Sequence, residues 1–184
     1  MPSPAASTAC VNNALRRFRR NRRGSAAVEF ALVAPVFIAL LFATIETATV
    51  FFASQVLEAG VENTGRLIYT SQVGTMSQAD FKQKLCDQVS VLLNCANLYI
   101  DVRSYAPGTA ITITDPIDGA GNYDSSGLTY SPAPAGAKGT QVVRGFYQWP
   151  LYVTGLGYNI ANIGRTGSSP KRLLAATSAF HVEP

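Results

Sequence analysis

Few residues in this chain suit catalysis. There is one histidine, His181. Nucleophilic catalysis needs a base within reach of a Ser, Thr or Cys and a third group to orient that base. No Ser/His/Asp order, HExxH or CxxC pattern stands in the sequence. His181 falls in a C-terminal apolar segment and reads as a packing or surface residue. Gly155-Leu156-Gly157 lacks the third glycine of a dinucleotide loop and has no βαβ surroundings. Asp115, Asp118, Asn122 and Asp124 share one loop with Gly119 and Gly121. Oxygen ligands so spaced suit Ca²⁺, but the EF-hand pattern is not met, and a solvated turn is expected. Cys86 and Cys95 have no second Cys or His cluster to complete a zinc site. No metal or cofactor is expected. What remains is a lone carboxylate, Glu29, inside an apolar run.

That run organises the chain. Arg16, Arg17, Arg19, Arg20, Arg22 and Arg23 precede Gly24, and from Ser25 to Ile45 the only charge is Glu29. A helix of roughly 20 apolar residues matches the hydrocarbon thickness of a bilayer. Pro35 is tolerable in such a helix, because neighbours can cover the freed carbonyl. The arginines flank one end only, which places the N-terminus in the cytoplasm and the chain after Glu46 outside. Glu29 lies near the cytoplasmic end, where two readings stand: a carboxylate that snorkels to the headgroups, or one with a task. Glu46 closes the run and reads as its outer boundary. A cleavable secretory signal is the competing reading of this N-terminus. It fails at the cleavage site, since Ala43, Ala48 and Ala53 are preceded two residues earlier by Leu41, Glu46 and Phe51.

Composition agrees. The chain has 184 residues, 47% of them hydrophobic, enough for one anchor and one small domain. Its pI near 9.1 does not signal nucleic acid. Residues 1–24 hold six of the fifteen Lys and Arg and none of the eleven Asp and Glu, so the remainder carries −2. The basicity serves topology. Cys10 falls in the leader, on the reducing side, whereas Cys86 and Cys95 fall outside, where disulfides persist. A bridge between them would close a loop of about ten residues and stabilise by about 2.7 kcal/mol; the alternative is two unpaired buried thiols.

Elements follow in order. Residues 1–15 are small and polar and are expected to be disordered. The helical pattern runs past the span through Val50, Leu57, Val61, Thr64 and Ile68, from about residue 26 to about 70 or roughly 65 Å. Glu58, Glu62 and Arg66 mark its polar face, and Gly60 and Gly65 weaken it. After a linker at 73–76, Ser77 and Asp80 form a capping pair for a second helix through Phe81, Leu85, Val89 and Leu92, with Asn94 as terminator. The period then changes to two. Leu98, Ile100 and Val102 predict a strand, and Ile111 and Ile113 a short second one. Residues 115–139 predict a long loop. Thr140–Trp149 predicts a strand with Gly145 as a bulge and Pro150 as its end. Residues 155–169 predict a loop, and Leu173–Val182 a last strand, with helix as the alternative for its Ala-rich start. Strands grouped after helices argue for an α+β fold: a long N-terminal transmembrane helix extending into a small periplasmic domain with a second helix and a three- to four-stranded antiparallel sheet. The expected boundaries are a basic leader over 1–24, a transmembrane helix over 25–46 and a periplasmic domain over 47–184.

The segment Arg22-Arg23-Gly24-Ser25-Ala26-Ala27-Val28-Glu29-Phe30-Ala31-Leu32-Val33-Ala34-Pro35 resembles the TadE-like family of Flp (tight adherence) pilus assembly proteins. It has the form of a type IVb prepilin signal: a basic leader, a glycine, four residues, then Glu-Phe. The match runs over about residues 22–66. Weaker likeness lies in the paired cysteines, Tyr147–Pro150 and the terminal residues 179–184. The related TadF and TadG proteins share this leader. The resemblance implies a pilin-like pseudopilin in the inner membrane of a bacterium. A prepilin peptidase would cut between Gly24 and Ser25, and Glu29, beside Phe30, would meet the terminal amine of a neighbouring subunit. Other pilin-like subunits and the inner-membrane Tad assembly platform would be its partners. It would be an enzyme's substrate and not an enzyme. The alternative is an uncleaved, single-pass, membrane-anchored periplasmic binding module; a secreted hydrolase is a third and poorer reading.

Overall fold

A computed structural model describes residues 24–69, 76–134, 136–154, 158–167 and 169–182. The chain divides into two units, Met1–Phe42 and Ala43–Pro184. One helix, α1 (Ser25–Tyr69), runs from the first into the second with Pro35 inside it. In the first unit its large apolar side chains, from Val28 and Phe30 to Leu41 and Phe42, are exposed. It is the one described helix long and apolar enough to cross a membrane. The predicted disorder of residues 1–15, the arginine cluster and most of the linker at 73–76 lie outside the described residues.

In the second unit α1 becomes one-sided. Val50, Ala53, Leu57, Val61, Thr64 and Ile68 recur at three- and four-residue intervals and are buried, whereas Glu58, Glu62 and Arg66 are exposed. Helix α2 (Gln78–Val89) starts where expected. Ser77 Oγ accepts a hydrogen bond from the Asp80 N–H at 3.2 Å and donates one to Asp80 Oδ2 at 2.7 Å. It buries Phe81, Leu85, Cys86 and Val89. It ends at Val89 with Ser90 as cap, earlier than predicted; Asn94 instead caps a 3₁₀ turn, η1 (Cys95–Asn97), through Oδ1 and the Ala96 N–H. α2 presses on α1 at Gly60, where a Cβ would come within 2.5 Å of Val89 Cγ1. The glycine that weakens α1 locally also permits this close approach.

The sheet contains β1 (Leu98–Tyr105), β2 (Tyr130–Ser131), β3 (Gly139–Pro150) and β4 (Lys171–Val182) in the order β2-β1-β3-β4. The three long strands are antiparallel, as the pattern predicts; β2 pairs parallel to β1 and makes the sheet mixed. Leu98, Ile100, Val102, Val143, Tyr147, Leu174 and Ala176 join the residues of α1 and α2 in one core. Gly145 stands opposite Ile100 and Ala176 in unbroken register. It is therefore not a bulge. A Cβ there would lie 2.5 Å from Val61 Cγ2, so this glycine lets the sheet close on α1. The other face of the sheet holds Phe146, Ile163 and Leu173, with Tyr99, Ile117, Tyr123 and Leu128 against them.

Ile111 and Ile113 form no strand, and both are exposed. Their segment spends its carbonyls on side chains: Tyr105 Oη donates to Thr112 O at 2.7 Å and Arg144 Nη1 to Thr114 O at 2.8 Å. The partner strand comes from the expected loop, where Val102 N donates to Thr129 O and the Tyr130 ring packs on Phe81. The last strand is a strand throughout, including its Ala-rich part.

Candidate membrane-anchor and assembly site

Helix α1 begins at Ser25, directly after Gly24. A Cβ added at Gly24 would meet nothing within 4 Å. Glu29 and Phe30 are exposed on the first turns. By helix geometry Glu29 stands about 6 Å along the axis from Ser25, one turn away. Arg16, Arg17, Arg19, Arg20, Arg22 and Arg23 lie outside the described residues, so the described part of this site is a helix start, one carboxylate and an apolar surface.

Glu46, the residue that closes the apolar run, has partners elsewhere in the fold. It is 6% exposed. Its Oε1 accepts from the N–H groups of Tyr152 and Val153, the latter at 3.1 Å, and Oε2 lies 3.3 Å from Val153 N. A charge on the inward stripe of α1 thus fastens the loop that follows β3. Tyr158 Oη, 3.0 Å from Thr47 Oγ1, adds a second tie. The partners are over a hundred residues apart in sequence, so no local signal marks them.

Cys86 and Cys95 form a disulfide with Cα atoms 5.6 Å apart, joining α2 to η1. His181 is exposed on β4, its Nδ1 3.3 Å from Thr140 Oγ1. The acidic loop is built of turns that use their own backbone. Asp115 Oδ1 accepts from the Ile117 N–H, Asp118 Oδ1 from Ala120 and Asn122, and Asp124 Oδ1 from Ser126. The bonds from Asn122 hold the Asp118 carboxyl below its ordinary pKa, and those from Ser126 do the same for Asp124. No group of three or more His, Cys, Asp and Glu fit to hold a metal stands among the described residues. Gly155 and Gly157 lie outside them.

One polar cluster escaped the alternation pattern. Asp101 on β1 and Arg144 on β3 are directly opposed, and both are buried. Arg144 Nε donates to Asp101 Oδ2 at 2.8 Å, and Arg103 Nε donates to the same carboxylate at 3.1 Å. The Thr129 N–H completes it at 2.7 Å. Burial pushes the Asp101 carboxyl up, but these hydrogen bonds outweigh it and set its pKa below the ordinary value. The bond to Asp101 raises Arg103 in turn. The cluster pins the segment before β2 across the sheet, and its role is architectural. Its trace in the sequence is two charges, Asp101 and Arg103, in β1 and one, Arg144, in β3.

Residues 24–66 match the family model described as TadE-like protein. The match opens on Gly24 and takes in Glu29, Phe30, Pro35 and Glu46. No curated protein and no solved structure matches the chain.

Proposed function

We propose that this chain, whose residues 24–66 match the model of the TadE-like family, a pilus-associated structural family, is a minor pseudopilin of Flp/type IVb pilus assembly or of the tight-adherence secretion machinery. The observation that carries this reading is that the family match begins at the glycine standing directly before an exposed apolar helix, with Glu-Phe one turn inside it. A prepilin peptidase cuts between Gly24 and Ser25 on the cytoplasmic face. The arginines before the cut hold the N-terminus inside, and residues 47–184 fold in the periplasm.

Cleavage leaves Ser25 with a free amine. When span helices stack with a small axial offset, that cation can meet the Glu29 carboxylate of a neighbouring subunit. In a low dielectric the attraction exceeds that of a surface pair, though desolvation offsets much of it. The pair therefore sets register more than affinity. Other pilin-like subunits and the Tad assembly platform are the partners this chemistry serves.

The test is the mature N-terminus, sequenced from native membranes. Processing leaves Ser25 first, and Gly24→Val leaves a species longer by the 24 residues of the leader. A native chain that keeps its arginines beside an active peptidase refutes the reading and leaves an uncleaved anchored binding module.

A further inference from the structure

The apolar surface of α1 does not stop at Glu46. Phe51 and Phe52 are 69% and 63% exposed. At 100° per residue they stand opposite the buried stripe of Val50, Ala53 and Leu57. Beyond them the exposed positions turn polar at Gln55, Glu58, Glu62, Asn63 and Arg66. Phe52 lies about 9 Å along the helix from Glu46. Over this interval the loop after β3 is tied to α1. It carries Tyr152, 82% exposed, and Tyr158, 40% exposed, each fastened by the Glu46 and Thr47 bonds described above.

From this geometry we infer that the domain is seated in the bilayer interface, with Phe51, Phe52, Tyr152 and Tyr158 in the layer between acyl chains and headgroups. The inference rests on reading residues 25–46 as a span. Rings with a polar tip favour this layer, and phenylalanines favour its apolar side. The surface follows directly along the chain from the apolar run. Its one intervening charge, Glu46, is already covered by the Tyr152 and Val153 N–H groups, which lowers the cost of holding a carboxylate at this depth. Charge does not single out the patch. Arg165 and Arg172 are exposed nearby in the chain, but the acidic turn at Asp118 reaches the same loop through the bond from Gly164 N to Gly121 O. The occupant is therefore the interfacial layer of a bilayer and not a particular anionic headgroup.

The experiment uses the full chain with Cys10→Ser, reconstituted in vesicles of phosphatidylethanolamine and phosphatidylglycerol. A nitroxide is attached at Phe52→Cys, Tyr152→Cys or, as a control, Ile111→Cys, all exposed positions. Labels at 52 and 152 should collide more with oxygen than with a water-soluble nickel chelate, and the label at 111 should show the reverse. If the label at 152 meets the chelate as freely as that at 111 while the chain resists alkaline extraction, the span stands and the inference falls. Release of the chain by alkaline extraction removes the span and the inference together. Dipolar broadening at 152 that vanishes on dilution with unlabelled chain assigns the surface to a second copy and overturns the inference.

Discussion

Asp101 and Tyr123 are two groups through which pH reaches the stability of the domain. Asp101 has a depressed pKa, so its contribution to stability is complete above the ordinary value of 3.8 and is lost as pH falls through the lower folded value. Tyr123 is the opposite case. Burial raises its hydroxyl above the ordinary 10.0, so stability is complete below pH 10 and is lost as pH rises toward the folded value. Tyr130, raised by burial and by Asp80, acts in the same direction. Denaturation followed by Trp149 fluorescence should show a plateau between these limits. Asp101→Ala should cost about 3–5 kcal/mol at neutral pH, because it strands a buried guanidinium, and should shrink the acid limb. Asp101→Leu with Arg144→Met should recover most of that loss. A double variant no better than the single one would show that the hydrogen bonds to Thr129 and Thr114, and not the stranded charge, dominate. The Tyr123 hydroxyl has no hydrogen-bond partner among the described residues. Tyr123→Phe should therefore be neutral or up to about 1 kcal/mol stabilising, with a weaker alkaline limb. A loss of more than that reveals a partner for the hydroxyl.

Among the elements, the bridge and the glycine contacts set the packing of the domain. The bond between Cys86 and Cys95 closes a loop of nine-residue separation. Changing both to serine should lower the unfolding free energy by about 2.7 kcal/mol in urea titrations, and an unchanged midpoint would mean that the reduced chain already holds that turn. Gly145→Val places a side chain against Val61 and Leu57 and should cost about 1–3 kcal/mol by forcing β3 away from α1. How much of this was legible depends on range. α2 is marked by its Ser77 and Asp80 cap, β1 by the alternation of Leu98, Ile100 and Val102, and β4 by its apolar run, all signals within a few residues. β2 has only two residues, and Tyr130 becomes a strand because it packs on Phe81 beside Val102. Ile111 and Ile113 carry a strand pattern but have no strand partner, and a pattern alone supplies no hydrogen bonds. Gly145 has the composition of a bulge, yet the neighbour that explains it, Val61, stands far away in sequence. The family likeness over residues 24–66 was legible because that signal is contiguous.

At the scale of the whole chain, two of the carboxylates of α1, Glu29 and Glu46, are expected to serve different tasks, and separating them tests the proposed function. Glu29 lies in the first unit, and no described residue of that unit contributes to the two cores of the domain. Glu46 lies in the second and holds the loop at Tyr152 and Val153. Glu29→Ala should thus leave the urea midpoint of the domain unchanged within about 0.5 kcal/mol, since distant sites behave independently. It should still be cut after Gly24, yet fail to enter an assembled pilus or its machinery, because the register-setting partner of the Ser25 amine is gone. Glu46→Ala should do the reverse. Two backbone N–H groups lose their acceptor, costing about 1–3 kcal/mol of domain stability, while processing at Gly24 continues. Pilus assembly, N-terminal sequence and unfolding midpoint, measured together on both variants, read the two tasks apart. Normal piliation with Glu29→Ala would remove the register role from that carboxylate. A domain unaltered by Glu46→Ala would mean that water replaces the clamp, and that the loop at Tyr152 is held by the Thr47–Tyr158 tie and by its own turns.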